Sequence, residues 1–243
     1  MARRPARPTR PARRSSRASS SARPSAPAGE REKIIAALFA LLADKPIEQI
    51  GLAEIARQAG VSLVQLRGSF PSPLAIVAAH FKDTDSAVLS ADLSDMEEES
   101  PRERLFDVLM RRLEILAPDR QAIRSLLRSA RRNVPLALAL SALTARSQKW
   151  MLAAAGINAS GPRGAIRAQG LGVLFGSVLR TWTRDDDPGL ARTMAALDRA
   201  LGRGQRLSGF LDDLCFIPSR LCRLRSRWRH RPDDLEDEES VAA

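Results

Sequence analysis

Apolar residues recur at helical spacing along most of the chain from residue 30 onward. The first stripe follows the i, i+4, i+7, i+8 pattern and stops before Pro46; it consists of Ile34, Leu38, Leu41 and Leu42. A second stripe follows the capping box Ser100-Pro101-Arg102-Glu103 and consists of Leu105, Leu109, Leu113 and Leu116. Because the sequence has no convincing run of alternating β-branched residues, the pattern predicts an all-α protein.

Four further helices are predicted in the second half of the chain. Asp119 is placed to cap a helix whose inward residues are Ile123, Leu126, Leu127 and Ala130. Asp187-Pro188 is predicted to open another helix, with apolar positions Leu190, Met194, Leu197 and Leu201. Between these lie two longer helices, predicted near Pro135–Ala155 and Pro162–Thr183.

The segment Leu52–Phe70 has the pattern of a helix-turn-helix unit. Gly60 divides it, because glycine readily takes the left-handed conformation that a tight turn needs, and Ser62 can cap the second helix. The positions predicted to face the core are Leu52, Ile55, Ala56, Ala59, Leu66 and Phe70. In such a unit, the second helix places its N-terminal side chains against base edges in the DNA major groove.

This segment and its flanks resemble the N-terminal domain of TetR-type transcriptional regulators. The matching stretches are Glu30–Leu38, Ile55–Ala56, Ala59–Ser62 and Phe70–Ser72. The resemblance implies a three-helix DNA-binding head on an all-α body that binds a ligand and forms a homodimer. It also implies double-stranded DNA as a partner, bound at a palindromic operator, and the function of a ligand-responsive repressor. The predicted DNA-contacting residues are Arg57, Ser62, Leu63, Val64, Gln65, Arg67 and Ser69.

The chain departs from that family at four positions of the head. The family usually has Tyr at the position of Arg67, Lys at Pro73, a basic or polar residue at Leu63, and Thr or Ser at Gly51. The family's Tyr and Lys contact phosphates. Arg67 can replace the Tyr at a phosphate or a guanine, whereas nothing in the head obviously replaces the Lys.

A second family also resembles this chain, more loosely. Its members are ubiquinone-biosynthesis accessory proteins, which share the TetR-like fold and bind lipid instead of DNA. The similar stretches are Gly68–Pro73, Ala75–Val77, His80–Phe81, Trp150–Gly156, Arg180–Asp187 and Leu197–Arg199. This resemblance supports the alternative function of a lipid-binding or isoprenoid-binding protein that does not bind DNA.

The net charge of +11 is concentrated at the two ends of the chain. Residues 1–29 hold eight Arg, five Pro, no acid and no Leu, Ile, Val or Phe, which predicts a disordered arm. Arms of this kind can bind phosphate or enter the minor groove beside a helix-turn-helix head. The predicted order is therefore this arm, the head over 30–80, the ligand-binding and dimerisation domain over 81–206, and a C-terminal segment over 207–243.

The C-terminal segment combines two kinds of sequence. Residues 207–231 alternate apolar residues with arginines, and residues 233–239 contain six acids. The basic amphipathic part could lie on an anionic membrane surface, or its apolar half could dock on the body as a tail. The acids are expected to act as a counter-charge that weakens non-specific binding.

Two features of the body suggest a dimer and a ligand pocket. Ala168, Gly172 and Gly176 recur at every fourth position and fit either a dimer seam, which the family forms with its last two long helices, or packing within the chain. An apolar stripe on the same helix fits either plain core or a pocket for a small apolar ligand. The candidate pocket residues are Phe106, Met110, Trp150, Phe175 and Trp182.

Other function classes find no support in the sequence. It contains no Gly-rich phosphate loop and no nucleophile elbow, so an enzyme is not expected. The two histidines, His80 and His230, are far apart in the sequence, and the two cysteines lie in one C-terminal stretch. These residues do not have the spacing of a zinc site, and no metal or cofactor is predicted. The longest uncharged run, Gly68–Phe81, is too short for a membrane span. A cytoplasmic location fits the cysteine usage best.

Overall fold

The computed structural model describes residues 28–91 and 98–214, and within these ranges it describes the side chains of residues 29–91 and 98–204. These ranges contain nine α-helices and no β-strand, which confirms the all-α prediction. Nearly all of the predicted N-terminal arm, the basic segment from residue 215 onward and the acidic tail lie outside the described residues.

The helices follow one another through short connections. They are α1 (Ala28–Asp44), α2 (Leu52–Ala59), α3 (Leu63–Ser69), α4 (Pro73–Leu89), α5 (Pro101–Ile115), α6 (Arg120–Ala130), α7 (Val134–Ala154), α8 (Gly161–Trp182) and α9 (Ala191–Leu214). Short 3-10 helices occupy Ile47–Gln49 and Ala117–Asp119.

Helices α1 to α4 form the head, whose core is apolar. The core includes four residues that are fully buried, Ile34, Leu38, Leu42 and Ile55, together with Leu66 from α3 and Ile76 from α4. Ala122 and Leu126 of α6 belong to the same core, because α6 packs along α1. The predicted boundary at residue 80 falls inside α4, so a single helix runs from the head into the rest of the protein.

Helices α5, α7, α8 and α9 enclose the second core and form the body. The predicted stripe of α5 is buried as expected, with the exposure of Leu105, Leu109, Leu113 and Leu116 between 0% and 6%. The stripe of α8 packs against it through Leu171, Phe175, Val178 and Trp182. The capping box of Ser100 and Glu103 at the start of α5 is also confirmed.

Two predicted helix starts differ from the structure. Asp119 occupies the N-cap position of α6 but accepts no capping hydrogen bond, because its carboxylate faces His80, with Oδ2 3.4 Å from Nε2. Helix α9 begins at Ala191 instead of at Asp187-Pro188. The Asp187 carboxylate still accepts hydrogen bonds from the N–H groups of Gly189 and Ala191, and Leu190 between them has φ of 52°.

At least two of the three small residues that recur along α8, Ala168 and Gly172, pack against other helices of the same chain. Ala168 is fully buried in the body core. A Cβ added at Gly172 would lie 3.3 Å from Thr144 Cγ2, which shows that this position faces α7. In the described ranges, no helix is long and apolar enough to cross a membrane.

Candidate nucleic-acid interface

A glycine turn sets the angle between α2 and α3. Gly60 has φ 66° and ψ 32°, in the left-handed region that glycine adopts without a steric penalty. The N–H of Gly60 and that of Val61 donate to the carbonyl groups of Arg57 and Ala56 and close the end of α2. The predicted turn is therefore confirmed, and only three residues separate the end of α2 from the start of α3.

A capping box fixes the first turn of α3. The backbone N–H of Gln65 donates to Ser62 Oγ at 3.2 Å, and the backbone N–H of Ser62 donates to Gln65 Oε1 at 2.8 Å. The same Gln65 side chain donates from Nε2 to Glu30 Oε2 of α1 at 3.0 Å. Both ends of the Gln65 amide are thus engaged inside the head.

One side of α3 is buried and the opposite side faces solvent. Leu66 is 2% exposed and Phe70 7%, and both belong to the head core. On the outer side, Leu63 is 54% exposed and Val64 83%. Arg67 and Gly68 are exposed on the same side. The helix therefore presents a short, accessible surface that begins at its N-terminus, as a DNA-recognition helix does.

The structure brings six of the seven predicted DNA-contacting residues to the head surface. Those exposed are Arg57, Ser62, Leu63, Val64, Gln65 and Arg67. Ser69 differs, because it is half-buried and its Oγ atom is enclosed with no hydrogen-bond partner among the described residues. Sequence reasoning did not find Glu30 beside Gln65, since 35 residues separate them and only the packing of α1 against the turn brings them together.

The head carries little excess positive charge. Residues 28–91 contain six Lys or Arg and seven Asp or Glu. Two of these cations are paired: Arg31 donates to both carboxylate oxygens of Asp83, and Lys45 Nζ lies 2.5 Å from Glu54 Oε1. The hydrogen bond from Lys45 lowers the pKa of Glu54, so this carboxylate is charged at neutral pH. DNA affinity depends on phosphate contacts, and few cations of the head can make them.

The start of α1 lies beside the exposed end of α3. The contact of Glu30 with Gln65 places the first turn of α1 next to the N-terminal turn of α3. Residues 1–27, with eight Arg, join the head at this point. The strongest positive charge in the N-terminal half of the chain is therefore attached next to the helix that would meet DNA.

His80 joins the head to the segment before α6. Its ring packs on Phe39 with centroids 3.8 Å apart, and its Nε2 faces Asp119. Burial lowers the pKa of His80, more than the nearby Asp119 carboxylate raises it. The imidazole is therefore neutral at neutral pH and adds no positive charge to the head.

A buried polar cluster connects α4 with the body. Arg112 of α5 donates from Nη1 to Asp85 Oδ1 of α4, and Ser147 Oγ of α7 donates to the same oxygen at 2.6 Å. The Arg112 guanidinium also lies between the rings of Phe81 and Phe175. One signal in the sequence could have indicated this cluster. Arg112 occurs four residues after Val108 and therefore lies on the buried side of α5, where a charged residue needs a partner.

The five candidate pocket residues do not share one environment. Phe175 and Trp182 are buried in the body core, and Phe106 and Met110 pack against that core. Trp150 is 57% exposed on α7. Phe106 also lines an open groove of about 630 Å³ between α5 and α9, together with Met194 and Asp198.

The comparisons with known proteins address the fold. The sequence matches no protein-family model, and no curated protein matches it. The structure is similar to a TetR transcriptional regulator from Nitrosomonas europaea ATCC 19718, with 21% identity, a TM-score of 0.56, and coverage of 72% of this chain and 97% of that chain.

Two further solved structures agree. A TetR regulator from Rhodococcus sp. RHA1 has 20% identity and a TM-score of 0.51, with coverage of 72% of this chain and 95% of that one. A TetR-family regulator from Streptomyces coelicolor has 14% identity and a TM-score of 0.50, with coverage of 84% and 90%. The described part of this chain therefore has the fold of the TetR-type transcriptional regulators.

Proposed function

We propose that this protein is a DNA-binding transcriptional regulator that acts as a homodimer in the cytoplasm. In each subunit, α3 enters the major groove, and the two copies bind half-sites about one helical turn apart, roughly 34–36 Å. The observation that carries this proposal is the exposed side of α3, which a glycine turn, a capping box and the buried Leu66 hold in place.

The arginine arm, residues 1–27, supplies most of the phosphate contacts in this proposal. The head is close to neutral, so it cannot by itself provide the electrostatic attraction on which protein–DNA affinity depends. The contact between Glu30 and Gln65 attaches the arm beside α3, within reach of the same stretch of DNA. The arm thereby compensates for the Lys that is replaced by Pro73.

The outer side of α8 is the proposed dimer surface. Ile166 is 58% exposed and Val173 65%, and Gly170 is exposed beside them. Large apolar side chains on an exposed helix face favour pairing with a second copy, because association removes them from water.

Control by a small ligand is proposed to act through the body. A ligand changes DNA affinity only if it binds one spacing of the two heads more tightly than another. Helix α4 can transmit such a difference, because it contributes Ile76 to the head core and Val88 to the body core. Phe106 and Met110 at the edge of the body core are the candidate contacts.

The test of DNA binding uses the full chain and a pool of genomic DNA fragments. Deletion of residues 2–27 should flatten the dependence of log K on log salt, by about 0.9 for each phosphate contact that the arm makes. Arg67→Ala should weaken binding to the selected sequence and leave the helical content unchanged. An unaltered salt slope in the deletion variant would exclude the arm from the interface.

The alternative function, lipid binding without DNA binding, is favoured by one observation. Leu63 and Val64 are apolar and exposed at the place where a DNA-binding helix usually carries polar groups. Native mass spectrometry of the purified full chain separates the two functions. A bound isoprenoid or phospholipid, together with no retained DNA, would support the alternative and contradict the proposal.

A further inference from the structure

The outward side of α3 is apolar along its centre. Val64 is the most exposed large apolar side chain reported for the described residues, at 83%, and Leu63 precedes it at 54%. Gly68 lies one helical turn after Val64, on the same side, and a Cβ added there would meet nothing within 4 Å. The α3 backbone can therefore approach another surface closely along the line from Val64 to Gly68.

The polar side chain best suited to contact adenine is exposed, but its amide is hydrogen-bonded to other residues of the head. An amide side chain recognises adenine by donating to N7 and accepting from N6, which requires both ends of the amide to be available. In the structure, Gln65 Oε1 accepts from Ser62 and Gln65 Nε2 donates to Glu30. Arg67 remains as the exposed polar side chain of α3 that can reach a guanine.

Apolar side chains have a defined partner in the major groove. The C5-methyl group of thymine is the one apolar group that the four base pairs present there, and apolar side chains pack on it. Leu63 and Val64 stand at the first two positions of α3, where the side chains of a recognition helix meet the base edges.

From this arrangement we propose that Leu63 and Val64 recognise pyrimidine C5-methyl groups, so that the half-site contains thymines opposite the N-terminal turn of α3. The proposal rests on the DNA-binding function proposed above. Thymine and 5-methylcytosine both present this methyl group. Selection from unmethylated genomic fragments distinguishes the two bases, because thymine is the only base in those fragments that carries it.

The test removes the methyl groups and nothing else. The full chain first selects a sequence from genomic fragments, and the selected duplex is then synthesised with deoxyuridine in place of thymidine, one position at a time. Deoxyuridine keeps the O4 acceptor and the base pairing. Binding should weaken about fourfold for each methyl that Leu63 or Val64 contacts, the factor expected for burying one such group. Substituting 5-methylcytosine for a cytosine at an adjacent step tests whether the methyl alone is recognised.

Variants assign the effect to the two side chains. Val64→Ala and Leu63→Ala should each weaken binding to the thymidine duplex by about fourfold or more, yet bind the deoxyuridine duplex as the unaltered protein does. Both side chains are exposed, so neither change should affect folding. Val134→Ala, an exposed valine at the start of α7, is the matched control and should change neither affinity.

The outcomes separate this inference from the proposed function. If the full chain selects a sequence but the fully substituted deoxyuridine duplex binds within about twofold of the thymidine duplex, methyl recognition is wrong and DNA binding stands. Equal weakening of both duplexes by Val64→Ala would also overturn it. If the full chain selects no DNA at all, both the inference and the DNA-binding function are wrong.

Discussion

The head and the body of this protein differ in how many polar and charged side chains they bury. Between residues 28 and 80 the structure describes no buried polar or charged side chain. In the body, by contrast, Arg112 is 3% exposed and Asp85, at the end of α4 that enters the body, is 8% exposed. Gln148 is fully buried with no hydrogen-bond partner for either end of its amide among the described residues. The core of the head is thus apolar, whereas the body encloses polar and charged groups, and the unpartnered Gln148 amide lowers its stability.

This difference indicates which part of the molecule is expected to change conformation. Buried charges are destabilising unless they are paired, so the interior of the body depends on the exact position of α4 relative to α5 and α7. A ligand or a partner that altered the Arg112 contact would shift α4 and hence the head. The apolar core of the head carries α3 as one unit and offers no comparable point of adjustment.

The largest effect should follow from removing Asp85. Asp85→Ala leaves the Arg112 guanidinium buried without its carboxylate and should lower the free energy of unfolding by about 3–5 kcal/mol. The matched control is Asp83→Ala, two residues earlier on the same helix, which breaks the partly exposed pair with Arg31 and should change stability by about 1 kcal/mol or less. Urea unfolding of both variants measures the difference. Similar losses in the two variants would show that the buried pair has no special role.

A larger side chain at Ala56, in the buried core of the head, should affect both stability and DNA binding. Ala56 is 3% exposed in α2, and Ala56→Leu should cost about 1–3 kcal/mol because the core has no room for it. The variant should also weaken DNA binding, since the displaced α2 moves α3. Ala155→Leu, at a fully buried position of the body, should lower stability to a similar extent without affecting the affinity of the folded protein for DNA. If both variants lose the same affinity for DNA, Ala56 has no special role in positioning α3.

Removing the unpartnered amide in the body should stabilise the protein. Gln148→Leu keeps a similar volume and eliminates buried polar atoms that have no partner, so the urea midpoint should rise by the equivalent of about 1–3 kcal/mol. Gln121→Leu, on the exposed side of α6, should leave stability within about 0.5 kcal/mol. A loss of stability in Gln148→Leu would mean that the amide has a partner in solution.

The smallest effect is expected at the two capping boxes. Ser62→Ala in the head and Ser100→Ala in the body should each lower stability by about 1 kcal/mol, because each removes a capping acceptor. Ser62→Ala alone should weaken DNA binding, since it removes the acceptor for the Gln65 backbone N–H and loosens the first turn of α3. Titration of the selected duplex with each variant checks this. An equal effect of Ser100→Ala on affinity would contradict the assignment of DNA contact to α3.

Local chemistry made the head predictable from the sequence. Gly60, Ser62 and the buried positions of α2 and α3 each depend on neighbours within a few residues, and α3 spans Leu63–Ser69 as predicted. Leu52, which was predicted to face the core, is instead 44% exposed at the start of α2. The stripes of α5 and α8 were predictable for the same reason, because helical periodicity reports directly which side is buried.

Features that depend on distant residues were not predictable. The Asp85–Arg112–Ser147 cluster joins residues 27 and 62 positions apart, and its geometry follows from the packing of three helices. Asp119 was expected to cap α6 but turns toward His80, whose position on α4 the local sequence does not reveal. Likewise, the engagement of Gln65 by Glu30 depends on how α1 crosses α3. Sequence reasoning therefore predicted candidate residues of which six are exposed and Ser69 is half-buried, and it missed the hydrogen bonds that engage Gln65.

DNA recognition by the exposed side of α3 is most directly tested by sequencing the genomic fragments that the full chain and its Val64→Glu variant retain. Val64 is 83% exposed, so the substitution should leave the fold intact, which circular dichroism can verify. The unaltered chain should enrich fragments that share an inverted repeat with half-sites about one helical turn apart, and the variant, whose new carboxylate faces the bases and phosphates, should enrich none. Enrichment of the same sequence by both proteins, or by neither, would contradict DNA recognition through α3.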